Sequence, residues 1–243
     1  VQLSSNDITS IKAKETLASS SGTTFLSLSV GAIKDIAGIS SGAVSAMPVA
    51  QYVGDMTPPV LQKFTLFNAN TGTMRFLFSE PVQITSFNFT KFQLNSEVTG
   101  GIYHLQLSPF GTVSYVNTAL KTELEVVMSA DDLIIFKQLA VLGKSRSAVF
   151  VSVENGGVDD MAGLPVNEIA VTFSLEIDAA TGVYVADLLA AKLSSFTLDM
   201  NAGEIKLTFD DALNISTLDV GGNIGLQYTR AATTNSSLQY TLT

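Results

Sequence analysis

The sequence predicts an all-β protein built from tandem β-sandwich repeats, with one short helix in each repeat. Three observations support this. Blocks of sequence return at a nearly constant spacing, short stretches alternate apolar with polar residues, and turn-forming residues separate those stretches about every 8 to 12 residues. Nearly half of the residues are apolar and only 14% are charged, so the chain has material for a sizeable core.

Three blocks near the start of the chain return 125 positions later. They are VQLSSND from Val1 and VVMSADD from Val126, FLSLSV from Phe25 and FVSVEN from Phe150, and DIAG from Asp35 and DMAG from Asp160. Two later blocks return after 132 and 131 positions: FTL from Phe64 and from Phe196, and TGTMRFLFSEPV from Thr71 and AGEIKLTFDDAL from Ala202. A fixed period of this kind indicates repeated domains.

The order of these blocks sets the expected domain boundaries. The chain opens with blocks that belong to the C-terminal half of the repeat and closes with blocks that belong to its N-terminal half. We therefore expect the chain to start and stop inside repeats. Residues 1–55 are predicted to be the C-terminal half of a repeat, residues 56–190 a complete repeat, and residues 191–243 the N-terminal half of the next. Val1 corresponds to Val126, and Thr243 corresponds to about Ser108.

Alternating stretches at 74–78, 170–176 and 204–209 predict strands with one buried face. Turn-forming residues at 55–59, 70–72, 155–157 and 160–163 separate the strands. Four phenylalanines at strand positions are predicted to lie in the core rather than on a sugar-binding platform: Phe76, Phe78, Phe173 and Phe209.

One helix is predicted in each copy. Ser4 and Ser129 each precede an Asp by three residues and then a helical pattern, ITSIKAKETLA and LIIFKQLAVL. Ser followed by an acidic residue at this spacing is typical of a helix N-terminus.

The order TPPVLQKFTLFNANTGTMRFLFSEPV, SADDLIIFKQLA and FVSVENGGVDDMAGLPV resembles the bacterial-Ig-like, SwmB-type repeats of extracellular surface proteins. The most specific elements are the TPP segment, the FSEPV strand end and the V-x-D-x-AG turn at 158–163. The family usually has Asn after that Gly, where this sequence has Leu164 and Ile39. The resemblance covers the whole chain and is closest to the helix-containing version in algae and stramenopile-like flagellates. It implies an Ig-like β-sandwich in large extracellular proteins with structural or adhesive roles.

Composition argues against several classes of function. A net charge of −9 disfavours nucleic acid as a partner, and no apolar stretch approaches the length of a membrane span. The chain has no cysteine, one histidine (His104), and no GxSxG, HExxH, P-loop or GxGxxG motif. We therefore expect a protein that is not an enzyme and has no cofactor, with His104 an ordinary strand residue.

Two kinds of site remain open. Acidic residues at turns are candidate calcium ligands where domains abut, although solvated turn carboxylates are the simpler interpretation: Asp55, Asp159, Asp160, Asp187 and Asp211, with Glu80 and Asp210 in the same group of turn acids. Three Asn-x-Ser/Thr sequences are candidate N-glycosylation sites: Asn88, Asn214 and Asn235. In a chain so rich in Ser, Thr and Asn, some of these sequences arise by chance.

These observations predict a structural repeat segment of an extracellular filament or surface layer, such as a flagellar hair, wall or matrix fibre. Its partners would be copies of itself or neighbouring repeats in a polymer. A cell-surface adhesin with Ig-like spacer domains is the alternative, and the difference between the loops at 96–111 and 228–237 would favour it. An accessory domain of an enzyme is a third possibility that needs a catalytic domain elsewhere.

Overall fold

The computed structural model describes residues 1–221, 223–228 and 239–242. The chain divides into two compact units, Val1–Leu189 and Ala190–Thr243, which are treated separately below. Both are predominantly β, as the sequence predicts.

Two α-helices occur within the described residues, α1 (Ser5–Lys12) and α2 (Ala130–Gln138). The strands of the first unit are β1 (Phe25–Leu28), β2 (Val44–Pro48), β3 (Leu61–Asn68), β4 (Thr73–Phe78), β5 (Val82–Gln83), β6 (Phe92–Glu97), β7 (Gly100–Gln106), β8 (Thr112–Tyr115), β9 (Glu123–Val127), β10 (Phe150–Val153), β11 (Asp159–Asp160), β12 (Leu175–Glu176) and β13 (Val183–Val185). Those of the second unit are β14 (Leu193–Asp199), β15 (Glu204–Phe209), β16 (Gly225–Gln227) and β17 (Gln239–Thr241).

Two larger sheets dominate the first unit. One has five strands in the order β13-β3-β4-β9-β8, and the other has four in the order β12-β10-β6-β7. All pairings in them are antiparallel except that of β13 with β3, which is parallel. β4 has the predicted alternation, because Met74, Phe76 and Phe78 are buried and the residues between them are only half-buried.

The main core lies between these two sheets and α2. Phe76 of β4 stacks on Phe92 of β6 with ring centroids 5.5 Å apart, which brings the two sheets into contact. Phe67 of β3 meets Phe136 of α2 edge to face at 5.3 Å. All 24 buried residues of this apolar cluster lie between Leu61 and Ile177.

Both helices begin where the Ser and Asp pairs predict. The backbone N–H of Asp7 donates to Ser4 Oγ at 3.1 Å, and that of Asp132 donates to Ser129 Oγ at 3.0 Å. These bonds satisfy backbone donors that the first helical turn leaves without a partner. The helix prediction is therefore confirmed in both copies.

The prediction of a continuous strand at 170–176 is wrong. Residues Val171–Phe173 form a 3-10 turn, and only Leu175–Glu176 form a strand. Ser174 is buried, and its hydroxyl donates to Val171 O and accepts from Asn95 Nδ2. This anchor turns Phe173 outward, where it is 78% exposed, so Phe173 is not a core residue. Phe76 and Phe78 are in the core as predicted, whereas Phe209 is half-buried in β15.

Residues 1–55 and the second unit are much more open. In the first of these, β1 pairs with β2; in the second, β14 pairs with β15 and β16 with β17. None of the helices in the described residues is long and apolar enough to cross a membrane.

Candidate functional site

Four charged residues meet where residues 1–55 contact the rest of the first unit. Lys12 is the last residue of α1, Asp55 precedes β3, Glu80 follows β4, and Asp160 lies in β11. The ammonium nitrogen of Lys12 is 2.6 Å from Asp55 Oδ2 and 2.5 Å from Glu80 Oε2. One carboxylate oxygen each of Asp55, Glu80 and Asp160 lie within 4.8 Å of one another. We call these four residues the junction cluster.

Asp160 is held in place by its own turn. Its Oδ1 accepts from the backbone N–H groups of Ala162 at 2.8 Å and Leu164 at 2.7 Å, and Gly163 has a φ of +85° that favours glycine. Asp160 is 1% exposed, and its Oδ2 has no hydrogen-bond partner. In the first copy the corresponding Asp35 Oδ1 accepts from Ile39 N–H at 2.8 Å, so the predicted turn is present twice.

The electrostatics of the junction cluster favour a positive charge. Burial raises the pKa of Glu80 and of Asp160, and the charge of Asp55 raises both further. Burial alone raises the pKa of Asp55 and lowers that of Lys12. The hydrogen bonds of the ammonium to its carboxylates outweigh burial, so the pKa of Asp55 is lowered and that of Lys12 is raised. Three carboxylates face one ammonium, and that ammonium bonds to two of them.

The structure brings only part of the predicted calcium set together. Asp55 and Asp160 are in the junction cluster. Asp159 pairs with Gln83, and its backbone N–H donates to Ser86 Oγ. Asp187 lies 3.2 Å from Lys137 Nζ. Asp211 is in the second unit, where its Oδ1 accepts from Ala212 N–H at 2.7 Å.

Lys12 was not among the predicted site residues, whereas Glu80 belongs to the predicted group of turn acids. The signal for Lys12 is present in the sequence, because Lys12 returns as Lys137 after 125 positions while Asp55 returns as Asp187 after 132. Glu80 returns as Asp211 after 131 positions. A search for acidic ligands alone does not find the lysine that stands among them.

The remaining predicted positions lie apart from the junction cluster. His104 is exposed on β7 opposite Asn95. Asn88 and Asn214 are both exposed, and each uses its Oδ1 to accept from a backbone N–H two residues ahead. Asn235 lies outside the described residues. Glycosylation at the three sites stays a prediction.

A second feature is an apolar surface on residues 1–55. Five residues of this segment are exposed by 37% or more, whereas the residues 125 positions later are at most 5% exposed. We call these five exposed residues the N-terminal open face: Leu3, Leu17, Leu26, Leu28 and Ile33. Their buried counterparts are, in the same order, Met128, Leu142, Val151, Val153 and Val158. It borders a groove of about 610 Å³ lined by Ile11, Phe25 and Met47 among others.

The second unit has a matching apolar surface. Leu193, Phe196 and Leu213 are 46–53% exposed, whereas the corresponding Leu61, Phe64 and Val82 are at most 2% exposed. We call these three residues the C-terminal open face. Beside it is a groove of about 460 Å³, which Leu213 lines together with Ile205 and Leu207.

No family model and no curated protein match this chain. Among solved structures, the crystal structure of the S-layer protein rSbsC is similar, with a TM-score of 0.34 and 14% sequence identity. The similarity covers 62% of this chain and 19% of the S-layer chain. That TM-score is too low to establish a shared fold.

Proposed function

We propose that this chain is a structural, non-catalytic repeat segment that assembles end to end in an extracellular filament or surface layer. Each complete repeat is an Ig-like β-sandwich formed by the two larger sheets. The observation that carries this proposal is the pair of open faces, because each exposes the side chains that the complete repeat buries.

The main core of the first unit supports a specific pairing of the two open faces. Leu142, Val151, Val153 and Val158 belong to the same buried cluster as Leu61, Phe64 and Val82. The first four correspond to the N-terminal open face and the other three to the C-terminal open face. The C-terminal open face of one copy is therefore the natural cover for the N-terminal open face of another, or of a neighbouring repeat.

Burial gives this pairing a favourable free energy. A fully buried aliphatic or aromatic side chain contributes about 1.5–3 kcal/mol. The eight side chains of the two faces are 37–68% exposed before association, so each contributes about half of that amount, and their sum is comparable to the range of about 4–15 kcal/mol that association costs.

The two faces differ from each other, so the contact is head to tail, which gives a ring if the rotation between copies closes and an open filament if it does not; our proposal is the open filament. We expect analytical ultracentrifugation of the chain to show an open series of oligomers that grows with concentration, and electron microscopy to show filaments. Leu26→Asp and Phe196→Asp each introduce a charge into one face at an exposed position, so the core of the complete repeat stays intact.

Mixing the two variants tests the polarity of the contact. Each variant alone should remain monomeric. The mixture should stop at a dimer, because one intact C-terminal face meets one intact N-terminal face and no further contact is possible. Phe110→Asp, at an apolar residue that is 79% exposed elsewhere, is the control and should assemble as the unchanged chain does. Monomers of the unchanged chain at every concentration, or assembly that survives both variants, would contradict the proposal and favour the adhesin.

A further inference from the structure

We infer that Lys12 is the built-in cation that fixes one repeat to the next, by binding an acidic pocket formed by the linker and the following repeat. This inference rests on the proposed function in one respect, which is that the chain is a string of repeats.

The geometry places the ammonium between three chain segments. Lys12 ends the helix of the first repeat, Asp55 belongs to the linker, and Glu80 and Asp160 belong to the second repeat. The side chain of Glu80 is 8% exposed and that of Lys12 is 26% exposed, so water screens the ion pair of Lys12 with Glu80 weakly. Without the ammonium, three carboxylates with oxygens within 4.8 Å would repel one another at the joint.

The pair of helix lysine with linker aspartate is present again at the end of the second repeat. Lys137 corresponds to Lys12 and Asp187 to Asp55, and Lys137 Nζ lies 3.2 Å from Asp187 Oδ2. A hydrogen bond from a tyrosine accompanies the lysine pair in each copy. The hydroxyl of Tyr52 donates to Ala18 O, and that of the corresponding Tyr184 donates to Gly143 O, both at 2.7 Å. In both copies the linker is therefore tied to its own repeat by a tyrosine and by a lysine.

An ammonium suits this position better than a separate ion. It has three donors, of which two carboxylates already take one each, and Asp160, whose Oδ2 has no hydrogen-bond partner, is close enough to interact with the same charge. It is also attached to the helix, so the joint forms without binding anything from solution. The nearby pair of Lys121 with Glu15 at 2.9 Å also joins the two segments, but Glu15 is 63% exposed and such pairs contribute little.

Distance measurements between spin labels test this inference, and the absence of native cysteine makes labelling specific. Ser45→Cys and Thr99→Cys place one label on each side of the joint at exposed positions. With Lys12 present, the distance distribution should be single and narrow, both in excess calcium and in chelator. Lys12→Met should lose this narrow distribution, and calcium should not restore it. Glu80→Gln, which keeps the size of the side chain, should broaden it less.

The control is Lys91→Met, which removes the exposed ion pair with Glu154 inside the second repeat and should leave the distribution unchanged. A narrow distribution in Lys12→Met would overturn the inference. The inference would also be overturned if the distance distribution of the unchanged chain were broad in chelator and narrow in calcium, because calcium would then be the cation that joins the repeats. Lys12→Met keeps both open faces, so its assembly in the ultracentrifuge distinguishes failure of this inference from failure of the proposed function.

Discussion

Asn95 is fully buried at the centre of the four-stranded sheet. Its Nδ2 donates to Ser152 Oγ and Ser174 Oγ, both at 3.0 Å, and its Oδ1 accepts from Gln93 Nε2 at 2.6 Å. A buried amide is tolerated only when its hydrogen bonds are made. Asn95 therefore links β6 to β10 and holds the turn that directs Phe173 to the surface.

Asn95→Ala should lower the free energy of unfolding by about 1–3 kcal/mol, because the buried hydroxyl oxygens of Ser152 and Ser174 lose the amide that donates to them. Urea denaturation of the purified variant measures this change. The neighbouring Ser96 is the control, since its buried hydroxyl has no partner. Ser96→Ala should be neutral or slightly stabilising, and equal losses in the two variants would contradict this account.

Asp178 should titrate far below an ordinary carboxyl group. Hydrogen bonds from the Thr181 hydroxyl and backbone N–H, together with Lys63, lower the pKa of Asp178 from 3.8 to about 2. A lowered pKa means that its contribution to stability is present above pH 3.8 and is lost as the pH falls toward 2. Carbon-detected NMR titration should show this pKa, and Thr181→Val should return it toward 3.8. Ordinary titration of Asp178 in the unchanged protein would contradict the prediction.

At the scale of the element, the β3–β4 turn and its counterpart provide a matched pair. Gly72 and Gly203 occupy the same repeat position with φ of +67° and +70°. A Cβ on Gly72 would clash with Met128 Cγ, whereas one on Gly203 would meet nothing within 4 Å. The two glycines share the backbone requirement, but only Gly72 is closely packed.

Gly203→Ala should destabilise the second unit by about 1–2 kcal/mol, the cost of left-handed backbone for alanine. Gly72→Ala should destabilise the first unit by the same backbone cost and, in addition, by the cost of the clash with Met128. Hydrogen exchange measured by NMR separates the two units. The double variant with Gly72→Ala and Met128→Ala should lose less stability than the sum of the losses of the two single variants, because the shorter side chain at position 128 leaves room for the new Cβ. Equal costs at the two glycines would show that packing against Met128 is unimportant.

Local patterns predicted most elements because each repeat carries its own signals. The Ser and Asp pairs located both helices, and alternation located β4 and β15. It failed at residues 170–176, where the apolar alternation of Val171 and Phe173 is overridden by one long-range hydrogen bond from Asn95. The junction cluster was harder to predict, because Lys12 and Glu80 are 68 residues apart and only the fold brings them together.

At the scale of the whole molecule, the core and the open faces are unequally distributed. The 24 residues of the main core lie between Leu61 and Ile177. In residues 1–55, all of which the structure describes, Ala13 is the single buried hydrophobic residue. The first unit therefore contains one well-packed region and one segment that depends on it.

A fragment of residues 56–189 should fold alone and unfold cooperatively, as observed by circular dichroism and by dispersed NMR signals. The matched fragment of residues 1–55 should not fold alone, because it buries almost no apolar surface of its own. A cooperative transition in the short fragment, or its absence in the long one, would contradict this distribution of stability.

The parallel pairing of β13 with β3 has a mechanical consequence. The first and last strands of the repeat lie side by side and run in the same direction, with Val183 opposite Leu66 and Val185 opposite Asn68. Tension applied to the polypeptide on both sides of the repeat pulls these two strands in opposite directions along their length. Such shear loads their hydrogen bonds together instead of opening them one after another. A fibre made of these repeats would thus stretch at its joints before any of its domains unravelled.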